Sequence, residues 1–163
     1  MRPTRTMSWI IGAGLAAFVA LGASGQGQVA SEEEAMQVAE KRSETMKSMG
    51  GSMRTLKRFV EGRGTVEDAS AAAAAIADTA PTIPSAFPAG TGMADLPDSE
   101  SKENIWEEWD EFVAGTERLR EKAAALQAVL SSGDSGQIGA AFGDLGKNGC
   151  GGCHSKFREK RDG

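Results

Sequence analysis

Two stretches of the chain carry apolar residues at the same alternating spacing. Ala35, Ala39, Met46, Met49, Met53, Leu56 and Val60 form the first, and with Arg42 included the steps run four, three, four, three without a break. Ile105, Trp109, Phe112, Thr116, Leu119, Ala123, Leu126 and Leu130 repeat the pattern. Steps of three and four keep side chains on one helix face, so each stretch predicts a long amphipathic helix with an inward seam.

The flanking residues supply starts and stops. Ser31 followed by Glu32, Glu33 and Glu34 opens the first helix with a cap and acids in the first turn. Gly62 and Gly64 end it. Thr65 with Asp68 reads as a capping box variant opening a second, alanine-rich helix, which Pro81 closes. Residues 81–98 hold four of the five prolines and predict a long loop. The third helix is expected from about Ser101 and stops at Gly133. Asp134 or Ser135 begins a fourth, with Ile138, Phe142 and Leu145 inward. No stretch alternates apolar and polar residues as a strand would. The expected fold is all-α, an antiparallel up-down four-helix bundle over residues 31–161.

The N-terminus has a different character. Arg2 and Arg5 precede the apolar run Trp9–Ala23, which is followed by small residues. This is the layout of a secretory signal, expected to occupy residues 1–25 with cleavage between Gly22 and Ala30. The run is shorter than the roughly 20 residues that a membrane-spanning helix needs. Export to the periplasm is therefore expected, with no membrane span once the signal is removed; a retained anchor is the alternative. Loss of Arg2 and Arg5 leaves 16 basic against 23 acidic residues, a charge of −7. With no basic stripe interleaved with aromatics, nucleic acid is not an expected partner.

The chemistry sits at the other end. Both cysteines and the only histidine lie within five positions, Cys150, Cys153 and His154. Structural zinc wants four ligands, and the chain has three Cys and His in all. A thioredoxin-type dithiol belongs at a helix start after a strand. A disulfide across so short a loop would constrain little of the unfolded chain and would leave His154 without a role. The remaining chemistry is covalent haem: C-x-x-C-H is the c-type attachment signal, with two thiols for the vinyl groups and the adjacent His for the iron.

The stretch FGDLGKNGCGGCHSKFREK, residues 142–160, resembles the C-terminal helix of the class II c-type cytochromes, the cytochrome c′ family. Phe157 and Arg158 follow the motif as the family's aromatic and basic residues do. Further likeness lies in R-x-x-x-M-K-x-M-G from Arg42 to Gly50, in FPAGTG from Phe87 to Gly92, and in IWEEWDEF from Ile105 to Phe112. The resemblance implies a four-helix bundle with one covalent haem c per chain, held by Cys150 and Cys153 with His154 as proximal iron ligand.

The sixth iron position divides the family. Most members block it with an apolar side chain and are five-coordinate; a smaller branch places a Met there. Four residues after an Arg of the first helix stands Met46, so the resemblance points to the His/Met branch, with Met49 as the rival ligand. By spacing alone, a row of seam methionines is more often core filler than ligand. Arg42, the one charge on its seam, reads as a haem-propionate partner by resemblance and as a snorkelling surface Arg otherwise. Gly50 and Gly51 either relieve crowding or kink the helix, and Trp106 and Trp109 read as core packing. The expected function is a periplasmic one-electron carrier, not an enzyme, working with redox protein partners and with a homodimer left open. The alternative is a five-coordinate protein binding NO or CO.

Overall fold

The computed structural model describes residues 27–160; the expected signal segment lies outside the described residues. Helix α1 (Glu32–Val60) starts where Ser31 Oγ accepts the Glu34 amide at 3.2 Å. Thr65 caps α2 (Val66–Thr79) by accepting from the Asp68 amide at 3.1 Å. Gly62 and Gly64 between them take positive φ, 76° and 105°, which an L side chain rarely adopts. Helix α3 (Asn104–Glu107) is short, and α4 (Trp109–Leu130) is long. Helix α5 (Ser135–Asp144) is capped by Asp134; a six-residue π turn, Leu145–Cys150, joins it to α6 (Gly151–Phe157).

The bundle thus consists of α1, α2, the α3–α4 rod and the α5–α6 rod, an all-α up-down architecture as the periodicity predicts. The described residues form no strand, only isolated bridges, Gln28 to Ala89 and Ser101 to Arg158. Along α4 the seam is buried from Phe112 to Leu130. The alanines of α2 let its neighbours approach: Ala69 and Ala73 are fully buried, and α2 packs on both α1 and α4.

Three local features depart from the expected pattern. The third helix is interrupted at Glu108 (φ −116°, ψ 45°). The interruption lets two tryptophans find partners: Trp106 Nε1 donates to Phe87 O at 3.0 Å, while the Trp109 ring lies 5.5 Å from that of Phe112. The proline-rich loop begins with a 3-10 turn, Ala80–Ala86, which tolerates Pro81 and Pro84 because its ladder is short. Val60, last of the first seam, is exposed at the end of α1. Among the described residues no helix is long and apolar enough to cross a membrane.

Candidate haem site

A cavity of about 670 Å³ opens between α1, α4, the proline-rich loop and the α5–α6 rod. Cys150, Cys153 and His154 line one wall. Met46, Met49 and Met53 of α1 line another, with Phe112 and Leu119 of α4 between them. The cluster read from the sequence therefore meets the first seam across a shared, mostly apolar space, the environment a porphyrin requires.

Both cysteines are free and half-buried. Burial pushes both thiols up, with the charge of Cys153 adding to the effect on Cys150 and Arg118 partly opposing it at Cys153. A protonated thiol resists oxidation. His154 is exposed at the cavity rim, yet burial of its ring, helped by Arg158 and opposed by Glu100, lowers its pKa. That favours the neutral imidazole, the form that binds iron. The described residues hold no group of three or more Cys, His, Asp or Glu that would close around a metal ion. The donors fit an iron brought by a porphyrin better than bare zinc.

The end of the cluster is fastened to the loop. The Lys102 amide donates to Phe157 O at 3.0 Å and the Glu159 amide to Glu100 O at 2.8 Å. Lys156 pairs with Glu108 and Glu111, and Arg158 with Glu100. These pairs are largely exposed and each adds little stability; the backbone bridge and the burial of Phe157 hold the geometry.

Arg42 is buried, 6% exposed, which excludes the surface reading. Its terminal nitrogens donate to Ala86 O, Thr91 Oγ1, Thr91 O and Ser99 Oγ at 3.0–3.3 Å, and its guanidinium lies 4.5 Å from the Phe87 ring centre. Burial lowers its pKa to about 10. A buried cation lining the cavity is a suitable partner for an anionic group on a ligand. Sequence reasoning did not name Thr91 and Ser99, the buried hydroxyls that complete this clamp. The signal available was a charge on an apolar seam, which demands acceptors from somewhere.

Helix α1 passes through Gly50 and Gly51 unbroken. A Cβ at either would meet only the Arg54 guanidinium, at 3.7 and 3.6 Å, so crowding by a neighbouring helix is not their reason. Gly50 lines the cavity.

The family model described as Cytochrome C′ matches residues 37–158, three-quarters of the chain. The chain belongs to the cytochrome c′ family. A cytochrome c′ of Pararhodospirillum photometricum is 36% identical over 121 residues, covering 74% of this chain and 94% of that protein. A cytochrome c-556 of Agrobacterium fabrum is 36% identical over 126 residues, 75% of this chain and 81% of that protein. Among solved structures, cytochrome c′ from Rhodobacter Spheriodes superposes with a TM-score of 0.70 at 27% identity, covering 78% of this chain and 98% of that one. Cytochromes c′ carry covalent haem c, and Cys150 and Cys153 are this chain's two thiols.

Proposed function

We propose that this cytochrome c′ family protein works in the periplasm as a haem protein that would bind a small neutral ligand such as NO or CO. Cys150 and Cys153 hold the haem, and His154 supplies the proximal nitrogen. The observation that carries the reading concerns Met46. Besides lining the haem cavity it borders a second cavity, of about 370 Å³, beneath the 3-10 turn. A flexible side chain that borders two cavities has room to move aside for a small ligand. The reading draws support from the 36% identical Pararhodospirillum protein, which is a cytochrome c′. A cytochrome c′ structure with 26% identity is described by its ligand-controlled dimer dissociation.

Haem bound here would supply a one-electron iron couple and a coordination site for the diatomic. The chain's own residues do the rest. Phe112, Leu119 and Phe157 give the cavity an apolar lining, and Arg42 offers its charge to a propionate. Soluble redox proteins of the same compartment and a second copy of the chain are the partners that fit.

A second reading keeps Met46 as sixth ligand and makes the protein a dedicated electron carrier. It is favoured by the four-residue step from Arg42 to Met46, which sets both on the cavity face of α1. The visible spectrum of protein matured with the haem-attachment machinery decides between them. The first reading expects a high-spin spectrum and ready CO binding by the ferrous protein. A low-spin spectrum that Met46→Leu converts to high-spin, while Met49→Leu does not, would establish the second.

A further inference from the structure

The rod that carries the cluster is not a regular α-helix. Across the π turn the Gly151 amide donates to Gly146 O, five residues back instead of four. Such a turn is an α-helix that holds one surplus residue. The consequence is angular. Phe157 follows Leu145 by twelve residues, which on a regular helix at about 100° per residue would set them about 120° apart. Yet Leu145 and Phe157 are both core residues, 0% and 4% exposed.

Discounting the surplus residue brings their separation to about 20°. The same correction moves the whole cluster. Measured from Leu145, Cys150 comes from about 140° to about 40°, and Cys153 from about 80° to about −20°. His154 comes from about 180°, the far side of the rod, to about 80°. All three then fall in the half of the rod that meets the cavity, where the structure has them.

Glycine writes the turn into the sequence. A Cβ at Gly151 would stand 3.2 Å from Gly146 O, the carbonyl its own amide bonds. A Cβ at Gly149 would stand 3.2 Å from both Leu119 Cδ1 and Leu145 Cδ1.

We infer that the π turn Leu145–Cys150 is the register element of the haem site: by absorbing one surplus residue it keeps Cys150, Cys153 and His154 on the cavity-facing half of the rod. The inference rests on the reading that these three residues hold the haem.

Length variants of the matured holoprotein test it. Deleting Lys147, exposed on the turn, removes the surplus and lets the segment close into α-helix with its faces unchanged. The wild-type visible spectrum is expected, with a melting temperature within about 5 °C of wild type. Deleting Asn148 instead repeats this test at an independent position. Inserting one Ala between Lys147 and Asn148 adds a second surplus and turns the cluster by about 100°. That variant is expected to show an altered spectrum, to bind added imidazole readily, and to melt at least about 10 °C lower as Phe157 leaves the core. The inference is overturned if both deletions lose the wild-type spectrum, or if the insertion keeps it together with wild-type stability. Haem that survives acid denaturation reports only on the cysteines, whose spacing no variant changes. Haem that extracts cleanly from wild type would sink the site reading instead. Near-UV circular dichroism and melting of the same chains still answer the register question.

Discussion

Gly115 on α4 faces Cys153 on α6 so closely that a Cβ at position 115 would stand 2.5 Å from Cys153 Sγ. A side chain at position 115 would force the Cys153 thiol aside or the two helices apart. Gly115→Ala should therefore overpack the contact and cost about 1–3 kcal/mol. Gly139 on α5 is the control, because a Cβ there meets nothing within 4 Å. Gly139→Ala should stabilise by up to about 1 kcal/mol through helix propensity alone. Denaturant unfolding of the two holoproteins measures both, and equal signs would refute the close-contact argument.

Asp134 offers a test by pH. Its carboxylate accepts from the Gln137 amide at 3.0 Å, from Gln137 Nε2 at 2.9 Å and from the Gly136 amide at 2.9 Å. These bonds, those from Gln137 first, lower its pKa below the ordinary value. A carboxyl lowered in the folded state contributes stability that is complete above its unfolded pKa of about 3.9. That contribution is lost as pH falls through the folded value. Asp134→Asn keeps an accepting oxygen and loses the titration. The drop in melting temperature between neutral pH and pH 3 should be smaller in Asp134→Asn than in wild type. An equal drop would place the acid sensitivity elsewhere.

What the sequence disclosed follows from what periodicity measures. Seams of three and four steps located α1 and α4 because buried side chains repeat at the helical period. Caps at Ser31, Thr65 and Asp134 were legible because each satisfies an amide that has no partner in its own helix. The break at Glu108 was not legible, since it serves contacts of Trp106 and Trp109 with partners that only the tertiary fold supplies. The π turn escaped for a related reason: counting residues assumes a fixed angle per residue, and the turn changes that angle where the cluster begins. C-x-x-C-H named the chemistry once it was joined to the signal layout and the helical bundle pattern. Nothing in that spacing told that Gly115 must stay small or that Thr91 and Ser99 would surround Arg42. Gly115 did leave a trace, a mid-helix glycine whose cost of about 1 kcal/mol calls for a packing reason.

The paired methionines can be separated by substitution. Met53 is set toward the π turn, its Cε 3.8 Å from where a Cβ of Gly146 would be, and so packs against the rod. Met46 and Met49 both line the haem cavity, but only Met46 also borders the second one. Met46→Ala, which enlarges the iron-facing space, should speed CO association with the ferrous protein under either reading of the sixth position. Met46→Phe, filling the second cavity, should slow it. Flash photolysis of the three proteins checks the order, and identical rates would remove Met46 from the ligand path.

Arg42 has two separable roles, and its variants should divide them. As a clamp it satisfies four acceptors on the loop between Ala86 and Ser99, two of them on Thr91, a residue with no exposed surface. Neither Gln nor Lys can match that set, because the planar fork of a guanidinium is lost in both. Both Arg42→Gln and Arg42→Lys should lower stability, the first by about 2–4 kcal/mol, as buried acceptors lose their donors. The charge acts differently. A positive group beside the haem opposes the extra positive charge of the ferric state, so removing it should lower the midpoint potential. Arg42→Gln removes the charge and Arg42→Lys keeps it. Redox titration should then find a lower potential in Arg42→Gln and a nearly unchanged one in Arg42→Lys, although both melt early. Equal shifts in the two variants would show that the loop's displacement, not the charge, sets the potential, and the propionate role would fall.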